Sequence, residues 1–217
     1  AHFRLDERQP DERREALLEE ARALGIKEFY LTGGEPMLHP AFFPLLGRVL
    51  AEGPTTVLTN GVLIDDAAAA RFKRLFDEAR YSLDLRVSLD GMNAEENDPV
   101  RGRGTFAQIT AGVAALGRAG LCPVLTVVEH QAGMGAAAAR ARFLDFARSL
   151  GLARPRVKFL PLLRIGRAER RGDGGGEDAA VDDVVRPPLP ADALEGLQCA
   201  TCRMATEDGV LTCPILL

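Results

Sequence analysis

The chain has 217 residues, with 27 Lys and Arg against 31 Asp and Glu for a formal net charge of -4. That length suits one large α/β core with a small appendage, and the weak negative charge excludes the basic field on which nonspecific nucleic-acid binding depends. No apolar run is long enough to span a bilayer and the N-terminus lacks the apolar core of a signal peptide, so the expectation is a cytoplasmic protein with no nucleic-acid or membrane partner.

The first helix is predicted to open at Pro10, with Asp11 and Glu12 at the positive end of its dipole. Leu17, Ala21 and Leu24 form its apolar stripe and Gly25 stops it. A strand over Glu28–Thr32 breaks off at Gly33-Gly-Glu-Pro36, and a helix over 40–52 carries Phe43, Leu46 and Leu50 on one face. The second strand, Thr55–Thr59, ends in Asn60-Gly61, and a helix over 65–79 leads to a third strand, Leu83–Leu89, closing on Asp90-Gly91. A loop of about a dozen residues then reaches Thr105-Phe-Ala-Gln108, whose Thr and Gln spacing is that of a capping box, with Ile109, Val113 and Leu116 on the buried side. The fourth strand is Pro123–Glu129, the next helix covers 136–150 with Phe143 and Phe146 inward, and the fifth strand is Arg156–Leu160.

No two strands are joined by a two-residue hairpin signal, and strands alternate with amphipathic helices, so the sheet is expected to be parallel. In such folds the loops after successive strands lie at one sheet edge, where ligands bind. That rule brings together Gly33 to Pro36, Asn60-Gly61, Ser88 with Asp90, Glu129-His130 and Arg164-Ile-Gly-Arg167. Residues 164–196 read as a Gly- and Pro-rich linker, and 197–217 as a short segment in which Cys199, Cys202 and Cys213 surround a Thr206-Glu-Asp-Gly209 turn.

Gly33 and Gly34 carry no Cβ, so their peptide groups can lie against a ligand; Glu35 adds an anionic acceptor and Pro36 stiffens the loop. Taken alone, the same four residues read equally well as a turn between a strand and a helix. Ser88 and Asp90, two apart at a strand end, share a face and suit a ribose diol, with a loop contact and a turn start as the competing reading. Asn60-Gly61 is ordinary turn chemistry. Clustered thiolates at Cys199, Cys202 and Cys213 suit zinc or an iron–sulfur centre, whereas Cys122 heads an apolar strand and reads as core. His39 and His130 fall in loops.

Leu31-Thr-Gly-Gly-Glu-Pro36, Leu58-Thr-Asn-Gly61 and Val87-Ser-Leu-Asp-Gly91, in this order at successive strand ends, together resemble the radical S-adenosylmethionine (SAM) superfamily. Asp98, Arg101-Gly102 and the Gly104-Thr-Phe106 helix start are similar to its peptide-modifying and cofactor-maturing subfamily, which has a cysteine-rich (SPASM/twitch-like) C-terminal extension. The resemblance covers roughly residues 25 to 167. It implies a partial, open (β/α)6-type TIM barrel over 1–163 in which Gly33, Gly34 and Glu35 hold the methionine amino group of SAM and Pro36 shapes the loop. It further implies that Ser88 and Asp90 lie near the ribose, that Asn60 lines the same pocket and that Arg164 to Arg167 lie near the SAM carboxylate or adenine. The family's first barrel strand and its Cys-x3-Cys-x2-Cys loop for a [4Fe–4S] cluster are both missing from this reading of the chain, which is taken as N-terminally truncated and inactive alone.

For the intact protein the resemblance implies a 5′-deoxyadenosyl radical that abstracts hydrogen from a peptide or cofactor precursor, with an electron-donor protein as partner. It also implies an auxiliary iron–sulfur cluster on Cys199, Cys202 and Cys213. Two other readings stay open: a catalytically inactive SAM-binding or scaffold protein, and an unrelated TIM-barrel lyase or aldolase-like enzyme with Glu35 or Asp90 as acid/base. The latter has few Schiff-base candidates, since Lys27, Lys73 and Lys158 are the only lysines and only Lys158 falls in a strand.

Overall fold

The structure, a computed structural model, describes residues 2–4, 11–128, 136–160, 204–206 and 209–211. In chain order these form β1 (His2–Arg4), α1 (Asp11–Ala23), β2 (Phe29–Thr32), a 3-10 turn (Pro36–Leu38), α2 (Phe42–Glu52), β3 (Thr55–Thr59), α3 (Asp66–Glu78) and β4 (Leu83–Ser88). There follow α4 (Ala94–Arg101), α5 (Thr105–Arg118), β5 (Val124–Val128), α6 (Ala136–Ser149), β6 (Arg156–Leu160), β7 (Met204–Thr206) and β8 (Gly209–Leu211). The strands make one sheet in the order β6-β5-β4-β3-β2-β1-β7-β8. Neighbours from β1 to β6 are consecutive in sequence and parallel, the arrangement of an opened β/α barrel. Among the described residues, no helix is long and apolar enough to cross a membrane.

The register sorts side chains onto two faces, because residues two apart in a strand point the same way and partners in register share a face. Phe29, Leu31, Val57, Leu85, Val87, Leu125, Val127 and Val157 point to one side and join a single buried cluster with side chains of α1, α2, α3, α5 and α6. Phe42 and Phe72 meet edge to face in that cluster, with ring centroids 6.0 Å apart. The opposite face carries Tyr30, Thr56, Asp84, Arg86, Ser88, Thr126, Arg156 and Lys158 together with Leu58, Val124 and Val128, so among the described residues the helices pack on one side of the sheet and the other, mostly polar side faces the barrel interior.

Several expectations change. The place assigned to a missing first strand holds β1, which pairs in parallel with β2, His2 opposite Tyr30. The C-terminal segment supplies β7, parallel to β1, and β8, antiparallel to β7 with Thr206 opposite Gly209, so a tight hairpin does occur. The turn chemistry of Glu207-Asp208 was legible, but strands of three residues leave little apolar period to detect. The supposed loop before Thr105 contains α4. Asn93 caps α4 by accepting from the Glu96 N–H at 2.9 Å, and the Glu96 carboxylate accepts from the Met92 N–H at 2.9 Å. A variant of the capping box, with the N3 carboxylate on the N–H before the cap, therefore sits there; at α5 the N-cap is Gly104, and Thr105 donates instead to the Gly102 carbonyl at 2.7 Å. Leu24, beyond the end of α1, is 67% exposed and leaves the stripe of Leu17 and Ala21.

Helix α5 is seated against the turn that follows β3. A Cβ on Gly112 would lie 2.8 Å from the Gly61 carbonyl oxygen and 2.9 Å from that of Ile64, both backbone atoms with little room to yield. Gly112→Ala should therefore destabilise the fold by about 1–3 kcal/mol through overpacking, read as a lower urea midpoint at unchanged m-value; an unchanged midpoint would mean that α5 can move away.

Candidate ligand site at the carboxyl ends of the strands

The loop after β2 is held by its acid. Glu35 is extended, as the following Pro36 requires, and is only 9% exposed. Its Oε1 accepts from the Met37 N–H at 3.1 Å and the Thr59 hydroxyl at 2.7 Å, and its Oε2 accepts from the Asn60 N–H at 2.7 Å. Thr59 Oγ1 also accepts from the Gly61 N–H at 3.0 Å, and Asn60 Oδ1 accepts from the Val62 N–H at 2.9 Å. One carboxylate thus ties the loop after β2 to the loop after β3 through charge-assisted bonds. Gly61 sits at φ +78°, and a Cβ there would come within 2.7 Å of Val87 Cγ1, so only glycine completes the turn. Gly34 differs: a Cβ at this position would meet nothing within 4 Å. Its backbone borders open space while the Glu35 carboxylate is turned inward.

A second acid joins β4 to β5. Asp90 Oδ1 accepts from the Val128 N–H at 2.9 Å, and the Asp90 N–H donates to Asn97 Oδ1 at 3.2 Å. Arg101 Nε lies 2.8 Å from Asp90 Oδ2, an ion pair by distance whose N–H is out of line for a hydrogen bond. Asn97, fully buried, donates to Thr105 Oγ1 at 3.1 Å and to Asp98 Oδ1 at 3.3 Å. Asp98 accepts from the Gly104 N–H at 2.6 Å and the Phe106 N–H at 2.9 Å, and these bonds to its charged form hold the carboxyl below the usual range.

Gly33, Gly34, Glu35, Pro36, Asn60, Ser88 and Asp90 thus lie at one edge of the sheet, following β2, β3 and β4. Glu35 and Asp90 are engaged by protein donors; the half-buried Ser88 hydroxyl has no hydrogen-bond partner among the described residues. His39 is buried and its Nδ1 accepts from the Ala41 N–H at 3.1 Å at the start of α2. Cys122 is a half-buried free thiol whose carbonyl accepts from Arg156 Nε at 3.1 Å. Glu129, His130, Arg164 to Arg167, Cys199, Cys202, Cys213 and the proposed linker over 164–196 lie outside the described residues. Among the described residues no cluster of three or more His, Cys, Asp or Glu is placed to hold a metal. Thr59 and Asn97 were missed by sequence reading, because their importance lies in contacts across strands, although the alternation of β4, Leu-Asp-Leu-Arg-Val-Ser, does announce the polar inner face.

A family model described as the Radical SAM superfamily matches residues 2–130. The mycofactocin maturase MftC of Mycobacterium ulcerans (strain Agy99) is 32% identical over 121 residues, covering 54% of this chain and 31% of its own. A GTP 3',8-cyclase of Nostoc sp. (strain PCC 7120 / SAG 25.82 / UTEX 2576) is 28% identical over 191 residues, covering 79% of this chain and 55% of its own. Among solved structures, Streptococcus suis SuiB bound to S-adenosylmethionine superposes with a TM-score of 0.56 at 17% identity, covering 72% of this chain and 35% of its own. SuiB bound to the precursor peptide SuiA gives 0.56 at 16%, over 74% and 34%. At such identities the structural likeness speaks for the fold alone, that of a partial TIM barrel. The chain spans about 31% to 55% of the length of these relatives.

Two outcomes follow from the acids. In Glu35→Gln an amide N–H2 must face a backbone or hydroxyl donor, so the variant should lose about 1–3 kcal/mol in urea unfolding; no loss would show that the three bonds are dispensable. Asp98 has a folded pKa below its unfolded one, so its contribution is complete above the unfolded value near ~3.9 and is lost as pH falls through the folded value. The stability difference between wild type and Asp98→Asn should shrink on acidification below about pH 4, and a pH-independent difference would contradict this.

Proposed function

The chain belongs to the radical SAM superfamily, and on that premise we propose that the edge formed by the loops after β2, β3 and β4 is its SAM site. The observation that carries the reading is the contrast within one motif. Glu35 is consumed in holding the loop, while Gly34 leaves its backbone against open space. In this assignment the Gly33 and Gly34 peptide groups receive the methionine amino group, with Glu35 and Pro36 fixing the loop that presents them. Asn60, pinned by Glu35, lines the next section of the pocket. Ser88 offers a hydroxyl that needs a partner to the ribose, and Asp90 holds the β4 and β5 ends beside it through Val128 and Arg101.

Radical SAM enzymes use SAM with a [4Fe–4S] cluster, which supplies hydrogen abstraction by a 5′-deoxyadenosyl radical. The cluster does not fit the residues present: the chain has four cysteines and no Cys-x3-Cys-x2-Cys spacing, so no step is routed through it here. For the whole protein we propose radical modification of a peptide or cofactor precursor with an electron-donor protein. Support comes from the likeness to a mycofactocin maturase and to a fold seen with a bound precursor peptide. Cys199, Cys202 and Cys213 form a soft-donor set that suits an auxiliary iron–sulfur centre or zinc.

Gly34 gives a clean test, because a side chain there meets no protein atom within 4 Å. Gly34→Ala and Gly34→Val should keep wild-type unfolding midpoints but weaken SAM binding in calorimetric titration by about tenfold or more, equivalent to about 1.4 kcal/mol. Wild-type affinity in both variants would remove the Gly33-Gly34 backbone from the site.

A further inference from the structure

Between Glu35 and the first turn of α2 the chain runs Pro36-Met-Leu-His-Pro-Ala41, and the two prolines in it have no N–H to give. The other donors are all engaged. The Met37 N–H donates to Glu35 Oε1 at 3.1 Å, the Leu38 N–H to the Glu35 carbonyl at 3.2 Å and the His39 N–H to the Pro36 carbonyl at 3.1 Å. The Ala41 N–H donates to His39 Nδ1 at 3.1 Å, and the Phe42 N–H to the His39 carbonyl at 2.9 Å. His39 thus serves both sides of the joint between the 3-10 turn and α2, with its N–H, its carbonyl and its ring. It is only 5% exposed, extended at φ -71° and ψ 123° as the following Pro40 requires, and it leads directly to the core residue Phe42.

The bond from Ala41 fixes the state of the ring. A backbone N–H can only donate, so Nδ1 carries no proton and the imidazole is the neutral tautomer with its proton on Nε2. A side-chain acceptor bonded to the N–H two residues on is the pattern of an Asx turn, made here by imidazole. We infer that His39 in this tautomer is a positioning residue for SAM, anchoring the downstream end of the Gly33-to-Leu38 loop to α2 while Glu35 anchors its middle to Asn60. The inference rests on the reading of this edge as the SAM site. The 3-10 turn is not rigid by itself, since its two closing bonds lie at the long end of the usual range and such turns have poorer bond geometry than an α-helix. Without the Ala41 bond that single turn would be held between two prolines that donate nothing. Its movement reaches the glycines through Met37, whose N–H shares Glu35 Oε1 with the Thr59 hydroxyl and whose Sδ lies 3.8 Å from Thr59 Oγ1. Displacing Met37 would therefore loosen the carboxylate that fixes Gly34.

The test uses the 217-residue chain and substitutions that keep, shift or remove the acceptor. Asn places an oxygen where Nδ1 stands and bonds readily to the N–H two residues on, Gln places it one bond farther out, and Ala has none. In calorimetric titration with SAM, at a temperature where each variant is folded, affinity should fall about fivefold in His39→Ala and His39→Gln and stay within about twofold of wild type in His39→Asn. Hydrogen exchange of the Met37 and Leu38 amides, followed by 1H–15N NMR, should quicken about fivefold in the first two variants and return to the wild-type rate in the third. Two-bond 1H–15N correlations of the His39 ring should show Nδ1 without a proton. A role in stability alone would lower the Tm of the variants and leave the SAM affinity of the folded protein unchanged; that result, a protonated Nδ1, or rescue by Gln and not by Asn would each overturn the proposal. Gly34→Val is titrated alongside. Wild-type affinity in His39→Ala and His39→Gln with weakened binding in Gly34→Val removes His39 and leaves the SAM site standing. Wild-type affinity in Gly34→Val, with amide exchange still following the Ala, Gln and Asn pattern, removes the SAM site and leaves His39 as the anchor of the loop.

Discussion

The carboxyl edge of this sheet depends on one constraint: a parallel strand that stops leaves its last N–H groups without a partner, and something must take them up. Glu35 does this for the end of β3 through the Asn60 N–H, and Asp90 does it for the end of β5 through the Val128 N–H. In each case an acid just beyond one strand accepts from the end of an adjacent one. The device recurs at every second junction, binding the strand ends in two pairs, β2 with β3 and β4 with β5. A neutral side chain would accept less strongly, and a longer loop would present the donors less rigidly.

This arrangement turns the conspicuous acids to holding the loops. The acids that look most like ligand groups in the sequence face the protein, and the less conspicuous groups, the Gly34 backbone and the Ser88 hydroxyl, are left uncommitted. Asn97 extends the second clamp. Fully buried, it links the Asp90 N–H to Thr105 and Asp98, so that α4 and the start of α5 are fixed to the end of β4. The Asp90, Asp98 and Arg101 spacing in the sequence is therefore the linear trace of one packed corner.

The order of strands and helices was legible because the period changes from two to near 3.6 at each Gly or Asn-Gly boundary, and the burial of Leu17, Leu46, Leu50, Ile109, Val113 and Leu116 follows that period. The short elements were not. Three-residue strands at β1, β7 and β8 form through pairing with neighbouring strands, and α4 is set by the Asn93 cap despite containing Pro99. Site residues were legible as positions at a common edge. Their directions were not, since whether Asp90 faces a ligand or Val128 depends on a strand 38 residues away.

The two faces of the sheet follow different selection by physics. On the helix side every register row is apolar or methyl-bearing, and Gly112 and Gly61 record how closely backbone approaches backbone there. On the other face the same strands carry Asp84, Arg86, Ser88, Thr126, Arg156 and Lys158 among the apolar Leu58, Val124 and Val128, and at Thr126 a buried hydroxyl is left unsatisfied. Barrel interiors built only for stability are filled with branched apolar layers. The clearest alternation is that of β4, Leu-Asp-Leu-Arg-Val-Ser, whereas the cost of an unsatisfied buried hydroxyl falls on its neighbour β5 at Thr126, in an otherwise apolar strand.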